Sequence, residues 1–130
     1  MIRAMQRKVG IVVFTHGSRR PEGNETLVRF VAQLRERLHN EQIEPGFMEL
    51  GKPPIPAAIK RLVAQGCNHI HGYAFFLVPG SHLSEDIPFI FEQTLKKHPG
   101  MTWEISPPLL DDPAMLGFVA NQLQQVLRCQ

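Results

Sequence analysis

The sequence lacks the features that mark several large classes of protein. Its 130 residues contain no apolar run near the roughly 18 residues that a membrane-spanning helix requires. Its two cysteines, Cys67 and Cys129, are far apart and lack the spacing of a metal site, so we expect both to be reduced thiols. The net charge of +2 comes from dispersed Lys and Arg residues and does not favour nucleic-acid binding. These absences predict a cytoplasmic protein that binds neither membranes nor nucleic acids.

Several common active-site motifs are absent as well. No Gly-x-Gly-x-x-Gly follows the first apolar segment, and no Gly-x-x-x-x-Gly-Lys-Ser/Thr occurs, so the usual signatures of dinucleotide and P-loop sites are missing. There is no Gly-x-Ser-x-Gly elbow. The Arg-His-Gly motif of histidine phosphatases is not matched either, because Thr15 precedes His16. The chemistry must therefore come from other residues.

The sequence does contain a regular alternation of strand and helix patterns. Val9 to Thr15 is a continuous, mostly β-branched run, which is typical of a strand buried on both faces. Three further strands are predicted within 44–50, 68–78 and 102–106. Apolar residues at helical spacing predict helices within 24–40, 54–66, 84–100 and 107–129. This order predicts one α/β domain over residues 1–130, in which helices cover both faces of a four-stranded parallel sheet.

Individual residues predict where these helices begin and end. Asn24 is a candidate N-cap of the first helix. Pro56 suits the start of the second helix, and Gly66 suits its end. Ser84, with acidic residues after it, suits the N-terminus of the third helix, where Pro88 is early enough to be tolerated.

Two histidines occupy equivalent places at one edge of the predicted sheet. His16 follows the first strand in His-Gly-Ser, and His82 follows the third in Gly-Ser-His. The carboxyl ends of parallel strands share the edge at which open α/β sheets bind ligands. Two imidazoles there can bind a divalent transition metal or accept protons near neutral pH. The alternative is that each histidine only caps a turn.

Other polar residues lie in the same edge loops. Glu49 ends the second strand, where its carboxylate can accept a proton or complete a metal site, or can simply be a solvated strand end. Donors for carboxylates come from Arg19, Arg20, Lys52 and the amides around Gly17-Ser18 and Gly80-Ser81. A small molecule with several carboxylates fits such an edge, while arginines on a solvated loop are the alternative.

Four segments together resemble the small form of the sirohydrochlorin chelatases, the CbiX/SirB type. They are THGSRRPEGNE, FMELGKPPIPAAIKRLVAQG, FFLVPGSHLSEDIP and HPGMTWEISPPLLDDP, and the likeness runs from Val9 to about Leu127. One departure is Tyr73-Ala74 before Phe75, where many relatives have a proline. The resemblance implies a class II chelatase half-unit with a flavodoxin-like fold, and it implies that two copies form a homodimer.

The resemblance also implies roles for individual residues. His16 and His82 match the family's metal-handling histidines, and Glu49 matches its acidic residue at the end of the second strand. The loops expected to hold the carboxylates of the tetrapyrrole are matched by Ser18, Arg19, Gly80 and Ser81.

The activity implied by the resemblance is insertion of a divalent ion into sirohydrochlorin, in cobalamin or sirohaem biosynthesis. Imidazole ligands suit Co²⁺, Fe²⁺ and Ni²⁺, and family likeness favours Co²⁺. No organic cofactor is expected. The alternative is a non-catalytic carrier of a metal or a tetrapyrrole, which would keep both histidines and show no turnover. A phosphate-binding regulator is a third interpretation, but it leaves the histidine pair without a role.

Overall fold

Four parallel strands alternate with four α-helices over residues 6–129, which are the residues that the computed structural model describes. The strands are β1 (Val9–Gly17), β2 (Ile43–Leu50), β3 (His69–Ala74) and β4 (Thr102–Ile105). The helices are α1 (Pro21–Leu38), α2 (Ile55–Ala64), α3 (Ile87–Leu95) and α4 (Pro113–Arg128). A short π-helix, His82–Asp86, precedes α3, and a 3₁₀ turn, Leu109–Asp111, precedes α4. The predicted alternation of strands and helices is confirmed.

The strands form a sheet in the order β2-β1-β3-β4, and all three neighbouring pairs are parallel. β1 has a strand on each side and is covered on both faces. Val12 and Phe14 are fully buried on one face, and Val13 is buried on the other. This position explains the unbroken apolar sequence of β1.

Helices cover both faces of the sheet, as predicted. α2 and α3 pack on one face, where the fully buried side chains include Ile59, Leu62 and Phe91. α1 packs on the other face through Leu27 and Val31. Because all the strands are parallel, their carboxyl ends lie at one edge, and the loops that follow them meet there.

α4 is the exception to this layering. Its main contact with the rest of the fold is the 3₁₀ turn from which it starts. None of its residues is buried, and Leu116 is 77% exposed. Asp112 caps its first turn by accepting a hydrogen bond of 2.9 Å from the amide of Ala114. α4 is therefore a well-formed helix that does not pack on the sheet of its own chain.

Two of the predicted helix boundaries can be compared directly. α1 begins at Pro21, so the prediction that Asn24 is its N-cap is wrong; proline suits the first helical position because that position needs no amide donor. α2 has Pro56 in its first turn and ends just before Gly66, as predicted. Gly66 has a φ of +91°, the left-handed conformation that commonly terminates a helix.

Two further features concern the cysteines and the membrane. Cys67 and Cys129 are both free, and burial raises the pKa of the Cys67 thiol, an effect that the nearby Lys8 partly opposes. Across residues 6–129, no helix is both long enough and apolar enough to cross a bilayer.

Candidate active site

The ends of β1, β2 and β3 bring together His16, Glu49 and His82, which the sequence predicts to share one edge. Nε2 of His16 lies 3.4 Å from Oε2 of Glu49. The rings of His16 and His82 are 5.4 Å apart between centroids and tilted by 52°. The three side chains are between 36% and 59% exposed, so a ligand can reach all of them from solvent.

An irregularity in the pairing of β1 with β2 accounts for the position of Glu49. Thr15 pairs with Phe47 and Gly17 pairs with Leu50, so β2 advances one residue more than β1 over this step. Bulges of this kind re-aim side chains near active sites. Gly17 has a φ of +103°, and a Cβ there would lie 2.9 Å from the carbonyl carbon of Leu50. Only glycine allows β1 and β2 to approach this closely beside Glu49.

His82 is held by a carboxylate on its own helical turn. Its Nδ1 lies 2.7 Å from Oδ2 of Asp86, four residues further along. In the tautomer in which Nδ1 donates to this carboxylate, Nε2 keeps its lone pair for a metal or a proton.

The turn that carries His82 begins earlier than predicted. The amide and the hydroxyl of Ser84 both donate to the carbonyl of Gly80, at 3.0 and 2.9 Å. The prediction that Ser84 starts the third helix is therefore wrong, because Ser84 lies inside the π-helix that begins at His82. Pro88 lies in the first turn of α3, as predicted.

Asn24 joins the ends of the two strands that carry His16 and Glu49. Its Oδ1 accepts a hydrogen bond from the amide of Ser18 at 2.8 Å. Its Nδ2 donates to the carbonyls of Ser18 at 2.9 Å and of Leu50 at 2.7 Å. One side chain from α1 thus fixes the loop after β1 against the end of β2.

Two of the predicted carboxylate-binding residues, Ser18 and Arg19, line a cavity of about 710 Å³. This cavity lies between the start of α1 and the loop after β2, beside the histidine pair rather than over it. Arg29, Lys52 and Glu25 also line it, so three cationic side chains and one carboxylate surround one space. The cavity is suited to an anionic part of a ligand.

The other two predicted binding residues, Gly80 and Ser81, do not line this cavity. Both are exposed and directly precede His82 in the chain. A Cβ added at Gly80 would meet no atom within 4 Å, so the backbone there is open to a ligand. The roles of these residues in substrate binding stay predictions.

The histidine pair is an open binding position rather than a finished metal centre. Within residues 6–129, no three His, Cys, Asp or Glu side chains are already grouped so as to hold a metal ion. His16 and His82 can hold an ion through their imidazoles, with Glu49 beside His16. Such an ion would take its other ligands from water or from a bound substrate. An incomplete set of protein ligands suits an ion that the protein passes on to a substrate.

Sequence reasoning missed the roles of Asp86 and Asn24. The spacing of His82 and Asp86 was a usable signal, because residues four apart lie on the same side of a helical turn. Asn24 had no comparable signal. Its bond to Leu50 joins residues 26 positions apart and depends on how α1 is placed against β2.

Comparisons with known proteins agree with one another. A family model described as CbiX matches residues 10–126. The chain is 36% identical over 118 residues to the chloroplastic sirohydrochlorin ferrochelatase of Arabidopsis thaliana, a match that covers 91% of this chain and 52% of the relative. It is 38% identical over 78 residues to a sirohydrochlorin cobaltochelatase of Methanocaldococcus jannaschii, covering 60% and 54%. The chain therefore spans about half the length of these relatives.

The fold is also shared with a solved structure. The crystal structure of a CbiX protein from Marinobacter aquaeolei VT8 superimposes with a TM-score of 0.80, covering 95% of this chain and 100% of that one. Their sequences are 24% identical, so this match shows a common fold.

Proposed function

Because the chain belongs to the CbiX family, we propose that it is a sirohydrochlorin chelatase, an enzyme that inserts a divalent metal ion into sirohydrochlorin. The observation that carries the proposal is the meeting of His16, His82 and Glu49 at the carboxyl edge of the sheet. Two similar proteins are named as sirohydrochlorin chelatases, one for iron and one for cobalt, which supports the same chemistry.

Metal insertion requires that the ion loses water and that two pyrrole N–H groups lose their protons. The imidazoles of His16 and His82 replace part of the water around the ion, and as neutral ligands they can release it to the ring nitrogens. Glu49, at 3.4 Å from His16, accepts a pyrrole proton directly or through that imidazole. Asp86 orients His82 through the bond to Nδ1. The reaction exchanges one divalent ion for two protons.

The surroundings of the histidines suit a flat, carboxylate-rich ring. Ser18, Arg19 and Lys52 bind carboxylates from the side of the cavity, and Gly80 and Ser81 bind them from the side of His82. Exposed apolar side chains on the chain that flanks His82 can pack on the ring itself; these are Leu77, Val78 and Phe89. Binding of this kind positions the ring nitrogens over the metal.

The proposal extends to the metal and to the setting of the enzyme. Co²⁺ is our first choice of metal by family likeness, and Fe²⁺ and Ni²⁺ are the alternatives because imidazole suits all three. No organic cofactor takes part. Residues 1–130 act as one chelatase-like domain in the cytoplasm, where Cys67 and Cys129 stay reduced. The chain works as a homodimer, since two copies supply the length of the Arabidopsis relative.

Anaerobic absorbance spectroscopy of sirohydrochlorin tests this function. Purified protein is mixed with the tetrapyrrole and Co²⁺, Fe²⁺ or Ni²⁺ separately, and each rate is compared with the protein-free rate. We expect acceleration with at least one metal, and we expect His16→Ala and His82→Ala each to reduce the catalysed rate by about 100-fold. His71→Ala is the matched control, because His71 also pairs with a carboxylate, Glu104, at 2.8 Å but lies on β3.

Three results would contradict the assignment. A spectral shift on binding without faster insertion of any metal would support the carrier interpretation. Wild-type rates in both edge variants would remove the histidine pair from the mechanism. An equal loss in His71→Ala would show general damage, and circular dichroism of each variant detects such damage independently.

A further inference from the structure

The cavity of about 710 Å³ beside the histidine pair is lined by cationic side chains that make no ion pair in the described part of the chain. These are Arg19, Arg29 and Lys52, and we call the space the α1 cavity because α1 supplies one of its walls. Within residues 6–129, no carboxylate oxygen lies within 4 Å of their side-chain nitrogens. Their charge is therefore available to a ligand.

A second cavity, of about 480 Å³, shows the opposite arrangement. Its two arginines, Arg35 and Arg61, lie 3.2 and 3.4 Å from the carboxylate of Glu44, which is buried. Nε of Arg35 also donates to the carbonyl of Ile43 at 2.7 Å. Because these arginines hold the two helices α1 and α2 to β2, the second cavity is not a comparable site for an anion.

The polar groups of the α1 cavity divide into those that the fold uses and those that a ligand can use. Asn24 lines the cavity, but its Oδ1 and Nδ2 already bond to the backbone of Ser18 and Leu50. Oγ of Ser18 accepts a hydrogen bond from the amide of Arg20 at 3.1 Å, which leaves its hydroxyl proton to donate elsewhere. The donors left for a ligand are thus one hydroxyl and three cationic side chains, and a carboxylate accepts from both kinds.

One acidic side chain limits the negative charge that the α1 cavity can accept. Glu25 lines the cavity with the three cations, so three positive charges against one negative charge leave a net charge of +2. Glu25 and Arg29 are four positions apart on α1, the spacing at which side chains of a helix are neighbours. Two carboxylates match the net charge, whereas a third would meet the repulsion of Glu25 without a cation of its own. The α1 cavity therefore suits a pair of carboxylates.

We propose that the α1 cavity binds two adjacent carboxylates of the tetrapyrrole, the acetate and the propionate of one ring, and that Arg29 and Lys52 select for this pair. Each ring of sirohydrochlorin carries an acetate and a propionate on neighbouring carbons, so the two carboxylates arrive together. The planar guanidinium of Arg29 can hold one carboxylate through two hydrogen bonds, while the ammonium of Lys52 acts as a point charge on the other. The identity of the ring rests on the proposed function.

The position of the α1 cavity fits the edge of the ring rather than its centre. Ser18, in the cavity wall, lies two residues beyond His16, and Gly51 lies two residues beyond Glu49. Two residues of chain span at most about 7 Å. When the ring nitrogens lie at His16, the groups that reach the cavity are therefore the side chains at the edge of the ring. The cavity thus acts on which ring binds and not on the metal.

Binding of sirohydrochlorin to the full chain without metal tests the assignment. Titrations followed by the absorbance of the tetrapyrrole give its dissociation constant for wild type, Arg29→Gln and Lys52→Gln. We expect each substitution to raise this constant by about tenfold, because each removes a hydrogen bond between charged groups. Arg37→Gln is the matched control, since Arg37 is also an exposed arginine of α1 but lines neither cavity. Wild-type affinity in both cavity variants would overturn the inference.

Glu25→Gln should have the opposite effect. Loss of its negative charge should tighten the binding of sirohydrochlorin by about threefold, which is the size expected for an exposed charge. Damage to the fold would weaken binding in all three cavity variants, so a change of opposite sign separates charge from damage. If Glu25→Gln leaves the affinity unchanged or weakens it, Glu25 does not limit the charge of the cavity, and the match to two carboxylates is overturned.

Two porphyrins test the pairing of the carboxylates. Uroporphyrin carries an acetate and a propionate on each ring, and coproporphyrin has a methyl group in place of every acetate. Quenching of porphyrin fluorescence measures both affinities. We expect wild type to bind uroporphyrin at least about tenfold more tightly, and we expect this preference to be smaller in Arg29→Gln and Lys52→Gln but unchanged in Arg37→Gln. Equal affinities in wild type, no binding of either porphyrin, or a preference that the cavity variants keep would overturn the selection.

Kinetics of metal insertion distinguish this inference from the proposed function. Arg29→Gln and Lys52→Gln should lower kcat/KM for sirohydrochlorin through a higher KM, because they remove binding at the edge of the ring rather than at its nitrogens. A wild type that inserts metal, with cavity variants that match its KM, would overturn the inference and leave the chelatase intact. A wild type that binds sirohydrochlorin through Arg29 and Lys52 but inserts no metal would do the reverse.

Discussion

Two clusters in the described part of the chain place histidines beside carboxylates, and they differ in how they are built. The edge cluster contains His16 at the end of β1, Glu49 at the end of β2, and His82 and Asp86 in the π-helix that follows β3. The sheet cluster contains His69 and His71 of β3 and Glu104 of β4. Both clusters pair histidines with carboxylates, so their position in the fold rather than their residue types separates them.

The sheet cluster follows directly from strand pairing. His71 lies opposite Glu104 and His69 lies opposite Thr102 in the β3–β4 ladder. Nδ1 of His71 is 2.8 Å from Glu104, and Nδ1 of His69 is 2.6 Å from the hydroxyl of Thr102. Cross-strand pairs of this kind stabilise a sheet. His69 is 3% exposed, so it is not available to a ligand.

The comparison shows that a histidine near a carboxylate does not by itself indicate catalysis. In the edge cluster, side chains from two strand ends and one helical turn converge while remaining open to solvent. In the sheet cluster, each partner is fixed by the register of two adjacent strands. Loops placed at the edge by a rigid sheet are where function is usually found.

The largest contrast in the rate of metal insertion is expected between Glu49→Gln and Glu104→Gln. Loss of the proton acceptor beside His16 should slow metal insertion by about 100-fold, since one positioned general base contributes at least this much. Glu104→Gln should leave the rate unchanged. Initial rates at saturating sirohydrochlorin measure both. If Glu49→Gln instead abolishes tetrapyrrole binding, Glu49 orients the substrate and is not the proton acceptor.

A smaller effect is expected from Asp86→Asn. The amide can still contact His82 but removes the negative charge, so affinity for the incoming metal should fall by about tenfold. The dependence of the insertion rate on metal concentration measures this affinity. Binding of sirohydrochlorin, followed by its absorbance without metal, should not change. Weaker tetrapyrrole binding would show that Asp86 acts on the substrate rather than through His82.

The smallest effect concerns stability and should appear only for the sheet cluster. The hydrogen bond from His71, and then the contact of Nε2 of His69 at 3.4 Å, lower the pKa of Glu104 below its usual value near 4.5. A carboxyl group whose pKa is lower in the folded state than in the unfolded state stabilises the fold at pH values above its unfolded-state pKa. This stabilisation is lost as the pH falls through the folded-state pKa. The melting temperatures of wild type and Glu104→Gln should therefore differ at about pH 6 and converge towards about pH 3. A constant difference across this range would contradict the ionic origin.

Much of the architecture could be predicted because its signals are local. The β-branched run of β1 and the helical periodicities of α1 and α2 each lie within one segment of chain. Their alternation then limits the topology to a parallel sheet, which places His16, Glu49 and His82 at one edge. That these three residues share one edge of the sheet thus followed from the order of the elements.

What could not be predicted depends on contacts between segments. The bulge that turns Glu49 towards His16 arises from the pairing of β1 with β2. The bond from Asn24 to Leu50 requires α1 to lie against that bulge. For α4, the helical periodicity identifies which side of the helix is apolar. It does not identify the surface that covers this side, because a helix packed on its own sheet and a helix packed on another chain have the same pattern.

The bonds made by Asn24 have a mechanical consequence. They join the end of β1, which carries His16, to the end of β2, which carries Glu49, so the backbones that carry these two side chains form one bonded unit. His82 belongs to another unit, whose internal bonds run from Ser84 to Gly80 and from His82 to Asp86. The relative position of these two bonded units therefore sets the distance of 5.4 Å between the centroids of the two imidazole rings.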